Sequence, residues 1–191
     1  MMANMKSIIL MGIKHCGKTT QGKLIASKLN IPFYDTDDIV LSQTGKTPRQ
    51  VYESEGEEAF IQAEQKACAY LVKTISDTRA VIATGGGICK NTQALELLHT
   101  IGTFVFLEAP ESIAAERIVR EAKTLSDGKL TNLPAYIAKK NPHSLAEVRT
   151  FFHSFYVDRV KQYQALADVS VPMINAPKQV NTERILQALD S

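Results

Sequence analysis

Five short runs of apolar residues punctuate this chain, and between them apolar residues recur every three or four positions. An unbroken apolar run marks a strand buried on both faces, whereas the wider spacing marks a helix with one buried side. The runs fall at 7–11, 31–35, 79–84, 103–107 and 169–173. Helical spacing falls at 20–29, 37–42, 57–73, 92–99, 145–167 and 182–189, with further helices opening at Pro48 and Pro110. Within 57–73 the apolar side reads Ala59, Phe60, Ala63, Ala67, Tyr70 and Leu71. Gly45, Gly56 and the Gly85-Gly86-Gly87 run are the breaks. Between about 121 and 143 the pattern loosens around Ser126-Asp127-Gly128, Pro134 and Asn141-Pro142, the length and irregularity of a functional lid. Strand and helix in alternation predict a three-layer α/β/α domain around a five-stranded parallel sheet. Periodicity leaves the strand order open.

The first run leads into Gly12-Ile13-Lys14-His15-Cys16-Gly17-Lys18-Thr19, which fits the phosphate-loop pattern G-x-x-x-x-G-K-[ST]. Its setting between a strand and a helix supports nucleotide binding, since successive backbone N–H groups and the helix start favour phosphate. Lys18 is the expected contact to the β- and γ-phosphates, and the Thr19 hydroxyl is the expected position for Mg²⁺. His15 stands where a third glycine is common. Histidine tolerates positive φ better than most residues, so His15 reads as a loop residue and not a catalytic base. Cys16 reads as a passive small residue.

Composition narrows the class. A chain of 191 residues suits one domain with a substantial core. The formal net charge of +2 gives no nucleic-acid footprint, and no apolar run reaches the length of a bilayer span. A single Lys before the first strand is unlike a secretory leader. The three cysteines, Cys16, Cys68 and Cys89, lack metal-binding spacing and suit a reducing cytoplasm. His99, His143 and His153 are scattered, and Phe151, Phe152, Phe155 and Tyr156 have the spacing of core residues.

Two further clusters lie where strands end. Asp35-Thr36-Asp37-Asp38 follows the second run; it offers carboxylates to a metal or to substrate hydroxyls, or a helix N-cap. Gly85-Gly86-Gly87 follows the third and lets backbone approach a ligand closely, or simply turns. Both clusters would face the rim that carries the phosphate loop.

Taken in order, the phosphate loop, Asp35-Thr36-Asp37, Thr44-Gly45, Gly56-Glu57 with Phe60 and Glu64, Thr84-Gly85-Gly86-Gly87, and Arg159 with Tyr163 before Ala167-Asp168 resemble shikimate kinase. The likeness spans nearly the whole chain and is strongest over 8–87. It implies a nucleoside-monophosphate-kinase-like P-loop kinase domain over 1–191, with a substrate-binding region at about 36–64 and a lid at about 121–146. The implied enzyme is a cytoplasmic phosphotransferase that uses ATP and Mg²⁺ to convert shikimate to shikimate 3-phosphate, in aromatic amino-acid biosynthesis. The family expectation is a monomer with a small-molecule substrate and no nucleic-acid or membrane partner.

The resemblance also assigns roles. Lys18 and Asp37 are implied as catalytic, with Asp37 touching the ring hydroxyls. Gly12, His15, Cys16, Gly17, Lys18, Thr19 and Thr20 would hold the nucleotide, with Arg117 near the adenine. Asp35 with Thr19 would order the Mg²⁺ shell. Gly85, Gly86 and Gly87 would line the substrate, and Arg159 would pair with its carboxylate. Two family arginines have no match: position 61 is Ile, and no arginine lies between Arg120 and Arg149. Lys123, Lys129, Lys139, Lys140 or Arg120 could supply charge to the lid. Kinases for another small hydroxylated metabolite, or for a nucleoside or nucleotide, are alternatives. A nucleotide-binding module without turnover is another, disfavoured by retention of Lys18, Thr19, Asp35 and Asp37.

Overall fold

The computed structural model describes residues 6–75 and 78–190; the first residues, on which the leader expectation falls, lie outside them. In chain order the elements are β1 (Ser7–Met11), α1 (Lys18–Leu29), β2 (Phe33–Asp35), α2 (Thr36–Thr44), α3 (Pro48–Glu55), α4 (Glu57–Thr74) and β3 (Val81–Ala83). A 3₁₀ turn (Ile88–Lys90) follows, then α5 (Thr92–His99), β4 (Gly102–Glu108), α6 (Glu111–Glu121), β5 (Lys123–Thr124) and β6 (Leu130–Thr131). The chain closes with α7 (Ala135–Ala138), α8 (Leu145–Leu166), β7 (Val169–Pro172) and α9 (Lys178–Leu189).

Five strands form one parallel sheet in the order β2-β3-β1-β4-β7. The central strand is β1, where Ile9 pairs with Ile82 on one side and Phe104 on the other. All five β1 residues are buried, as an unbroken apolar run requires. The chain steps from β1 past an open position to β2, returns to fill that position with β3, and then crosses to β4. Connections leaving β1 and β3 therefore diverge above the middle of the sheet. Because the strands are parallel, their carboxyl ends share one edge, where open α/β sheets bind their ligands in a crevice.

Helices cover the sheet in two groups. α1 packs on β3 and α9, while α8 packs on β4 and α6, and α5 on α4 and β4. Local chemistry sets the ends. α1 stops at Asn30 in the left-handed region, and α2 stops at Gly45, also left-handed. α3 opens with a capping box, Thr47 with Gln50, and Pro48 in its first turn. The main core contains Ile8, Leu10, Phe106 and Tyr163, whereas Val40, Val51, Ala63 and Ala67 form a separate small cluster beneath α2, α3 and α4.

The chain departs from its periodic reading in three places. Residues 121–143 are not a bare loop: β5 and β6 form an antiparallel hairpin, and α7 adds a turn of helix. α1 begins at Lys18, inside the phosphate-loop motif, and α9 begins at Lys178, a turn before the apolar spacing becomes visible. Among the described residues no helix is long and apolar enough to cross a membrane.

Candidate active site

The loop between β1 and α1 is shaped by positive φ at Gly12 (145°), His15 (67°) and Gly17 (104°). A side chain at Gly12 would also strike Cys16 Sγ at 2.8 Å and the Leu107 carbonyl at 2.9 Å, so only glycine fits. Lys18 is buried and gathers the loop by donating to the carbonyls of Gly12 at 2.8 Å and Ile13 at 3.0 Å. His15 is gripped by α6: Arg117 donates to its carbonyl, and its Nε2 lies 3.4 Å from the Glu121 carboxylate. Burial lowers the His15 imidazole; Glu121 opposes that effect, and Lys14, Arg117 and Lys18 add to it. Thr20 is exposed in the first turn of α1.

The acidic end of β2 meets this loop. Thr19 Oγ1 donates to Asp35 Oδ2 at 2.8 Å, and Asp35 Oδ1 caps α2 by accepting from the Asp37 N–H at 3.0 Å. Asp35 therefore serves as the N-cap and is also in contact with the phosphate loop. Thr36 is fully buried and accepts from the Gly85 N–H at 3.0 Å, which ties β2 to the glycine run. Asp37 opens to the mouth of the crevice, yet protein atoms crowd its carboxyl. That enclosure raises it to about 6, with Asp35 and Asp38 adding to the rise and Lys18 and Lys14 opposing it.

Gly85 and Gly86 form the floor. A side chain at Gly85 would come within 3.0 Å of both Asp37 Oδ1 and Glu64 Oε1, so the two carboxyls approach the same point. One at Gly86 would meet the Lys14 N–H nitrogen at 2.9 Å, so the floor abuts the phosphate loop. The Gly86 carbonyl accepts from Tyr163 at 2.9 Å. Glu64 projects from α4 into this floor, is 2% exposed, and takes a 2.9 Å hydrogen bond on Oε2 from Asn91, leaving Oε1 without a partner among the described residues.

Burial raises Glu64 to about 7; Asp37 adds to this, while the Asn91 hydrogen bond and Arg159 oppose it. Folding therefore tightens proton binding at Glu64, and stability falls as pH rises from its ordinary carboxylate range through about 7. Glu64→Gln keeps an acceptor for Asn91 and removes the charge. At pH 8 the variant is expected to exceed the native chain in stability by roughly 2–3 kcal/mol, and near pH 4 to match it. Urea unfolding at both pH values measures this, and equal midpoints at pH 8 would overturn the burial argument.

A further side of this region comes from α8 and the segment at 121–143. Arg159 is 6% exposed and donates from Nη1 to Cys89 Sγ at 2.5 Å, while its Nε has no partner among the described residues. Its guanidinium carbon lies 4.9 Å from the centre of the Phe155 ring, and the Tyr136 ring stacks on Phe155 at 3.5 Å. Just past α7, Lys139 bonds the Tyr52 hydroxyl and lies 4.0 Å from Glu57, so the segment at 121–143 touches the helices at 48–74.

The structure thus gathers Gly12, His15, Cys16, Gly17, Lys18, Thr19, Asp35, Asp37, Gly85 and Gly86 around one crevice, with Arg117 on the rim at His15. Gly87 begins the 3₁₀ turn that carries Cys89 to Arg159. Ile61 lies one turn before Glu64 on α4, and its carbonyl accepts from Asn91. Glu64, Asn91 and Tyr136 were not singled out for roles by sequence. For Glu64 a signal existed: a carboxylate set within the apolar stripe of 57–73.

Known proteins show the same arrangement of chain. The shikimate kinase family model matches residues 14–190. A shikimate kinase of Aquifex aeolicus is 32% identical over 180 residues, covering 94% of each chain. One from Caldicellulosiruptor bescii is 40% identical over 119 residues, 62% of this chain and 65% of that relative. The solved shikimate kinase of Acinetobacter baumannii in complex with shikimate superposes with a TM-score of 0.78 at 25% identity, over 97% of this chain and 93% of that one.

Proposed function

Because this chain belongs to the shikimate kinase family, we propose that it transfers the γ-phosphoryl group of ATP to the 3-hydroxyl of shikimate, with Asp37 accepting the proton. The observation that carries this reading is the convergence of Asp37, Gly85 and the phosphate loop, with Asp37 feeling the charge of Lys18. A substrate resting on Gly85 and Gly86 meets a carboxyl on one side and a phosphate cradle on the other. In the transfer, the hydroxyl oxygen forms a bond to the γ-phosphorus as the bond to the β–γ bridging oxygen breaks. ADP leaves, and the hydroxyl proton passes to Asp37. Positioning and charge neutralisation supply most of the acceleration in such reactions.

Lys18 would serve the phosphates as their cation, and the loop N–H groups would bind the phosphate oxygens. Thr19 and Asp35, a hydroxyl and a carboxylate in contact, are hard oxygen donors of the kind Mg²⁺ takes beside phosphates, and would hold it. When bound, Mg²⁺ supplies positive charge to the β- and γ-phosphates. Among the described residues no group of three or more His, Cys, Asp or Glu side chains is placed to hold a metal ion.

The substrate-binding region at about 36–64 and the lid at about 121–146 belong to the same reading. Coupled ADP release, with shikimate, without acceptor, and with carboxylate-free polyols, tests it. Shikimate-dependent release at an ordinary kinase rate is expected. Turnover confined to another polyol, or none with ATP bound, would overturn the substrate assignment.

A further inference from the structure

Where α7 packs on α8, two hydrogen-bond donors are buried without a partner among the described residues: the Tyr136 hydroxyl and Arg159 Nε. They share a platform. The Tyr136 ring stacks on Phe155 with an interplanar angle of 8°, and the Arg159 guanidinium lies against the same ring. Cys89 engages Nη1 of Arg159, and the Nε–H, held in the same rigid plane, has no acceptor among the described residues. The platform is firmly seated, since Leu133 and Ile137, on either side of Tyr136, are buried in the main core. Burial raises the Tyr136 phenol far above neutrality, although Arg159 opposes the shift, so its oxygen always carries a proton to donate.

A buried donor with no acceptor costs roughly 1–3 kcal/mol. Two such donors on one platform represent a cost that an arriving acceptor recovers. One donor is cationic and one neutral, so the pair suits a single negative charge with two oxygens. Glu64 faces Arg159 from α4, but its own Oε1 is unpartnered and its oxygens make no bond to the guanidinium among the described residues. The aliphatic Ile61, one turn before Glu64, offers no donor on that wall.

We propose that Tyr136 is a specificity-determining residue whose hydroxyl, with Arg159 Nε, hydrogen-bonds the substrate carboxylate and supplies the second donor that Ile61 does not. The proposal rests on the assignment of shikimate as substrate. In Tyr136→Phe the ring stack on Phe155 remains and only the hydroxyl is lost. Shikimate and its methyl ester are titrated calorimetrically into the native chain and the variant, alongside KM for shikimate and for ATP. Affinity and KM for shikimate are expected to weaken roughly 10- to 100-fold, the range for a hydrogen bond to a charged group. The ester's affinity and KM for ATP are expected to stay within about twofold. Equal weakening of acid and ester would reduce Tyr136 to packing and overturn the proposal, as would unchanged shikimate affinity. A native chain that neither binds nor phosphorylates shikimate would remove the substrate assignment, and with it this proposal, before the variant is compared.

Discussion

Asp37→Asn is expected to lower kcat by about 10²- to 10⁴-fold, the usual contribution of a positioned proton acceptor, while leaving the affinity for ATP nearly unchanged. The amide preserves the volume, and the backbone N–H at position 37 still donates to Asp35, so α2 keeps its cap. What disappears is a carboxyl raised to about 6 by enclosure and by Asp35. Only its ionised form accepts a proton, so native kcat/KM should rise with pH through about 6 and flatten above it. Glu64 lies close enough to couple, so the midpoint read from the profile belongs to the pair. In the variant the acid limb assigned to Asp37 should vanish. If turnover and ATP affinity fell equally, Asp37 would be a structural residue of the crevice.

Lys18→Ala is expected to be more severe, with kcat/KM falling at least about 10³-fold, the loss typical when a preorganised charge is removed from a developing phosphate or oxyanion. Two effects combine. The cation beside the β- and γ-phosphates is lost, and the carbonyls of Gly12 and Ile13 lose the ammonium that gathers them. The second effect on its own costs stability, on the order of 1–3 kcal/mol, because hydrogen bonds to charged groups exceed neutral ones. Turnover and thermal unfolding measured on the same preparation separate the two effects. Wild-type turnover in a chain whose melting temperature has dropped would confine Lys18 to holding the loop.

The sheet was legible in the sequence because β1 is buried on both faces and leaves an apolar run with no alternation. The same argument could not see β5 and β6. Each is two residues long, and Lys123, Thr124, Leu130 and Thr131 present no buried face, so only the turn at Gly128, with φ 82°, left a trace. α7 is one turn, shorter than any helical period needs. Strand order depends on contacts between distant segments, such as Thr84 with the Leu10 carbonyl, and no local pattern encodes it. For the site, glycines and carboxylates at strand ends were legible because parallel strands deliver them to one edge. His15 at positive φ was legible from its position in the loop motif. Tyr136 was not, because its ring stacks on Phe155, a residue of another helix that no local pattern connects to it. Phe155 read as core from spacing; it packs against the main core and also carries the Tyr136 stack.

The lid segment is two materials joined at Asn132, whose side chain is fastened to the Glu121 carbonyl and whose backbone takes a positive φ. Before that point lies a polar hairpin with its strand residues exposed or half-exposed; after it, Leu133 and Ile137 sit at 1% and 0% exposure in the main core. Evolutionary drift should therefore be uneven along these two dozen or so positions. Insertions, deletions and charge exchanges at 123–131 disturb little packed surface, so that half is free to vary in length and sign. The half from 133 to 137 carries the tolerance of an interior strand, where trimming a buried aliphatic side chain costs about 2–5 kcal/mol. A lineage could then remodel the hairpin without reopening the question of how the domain holds together.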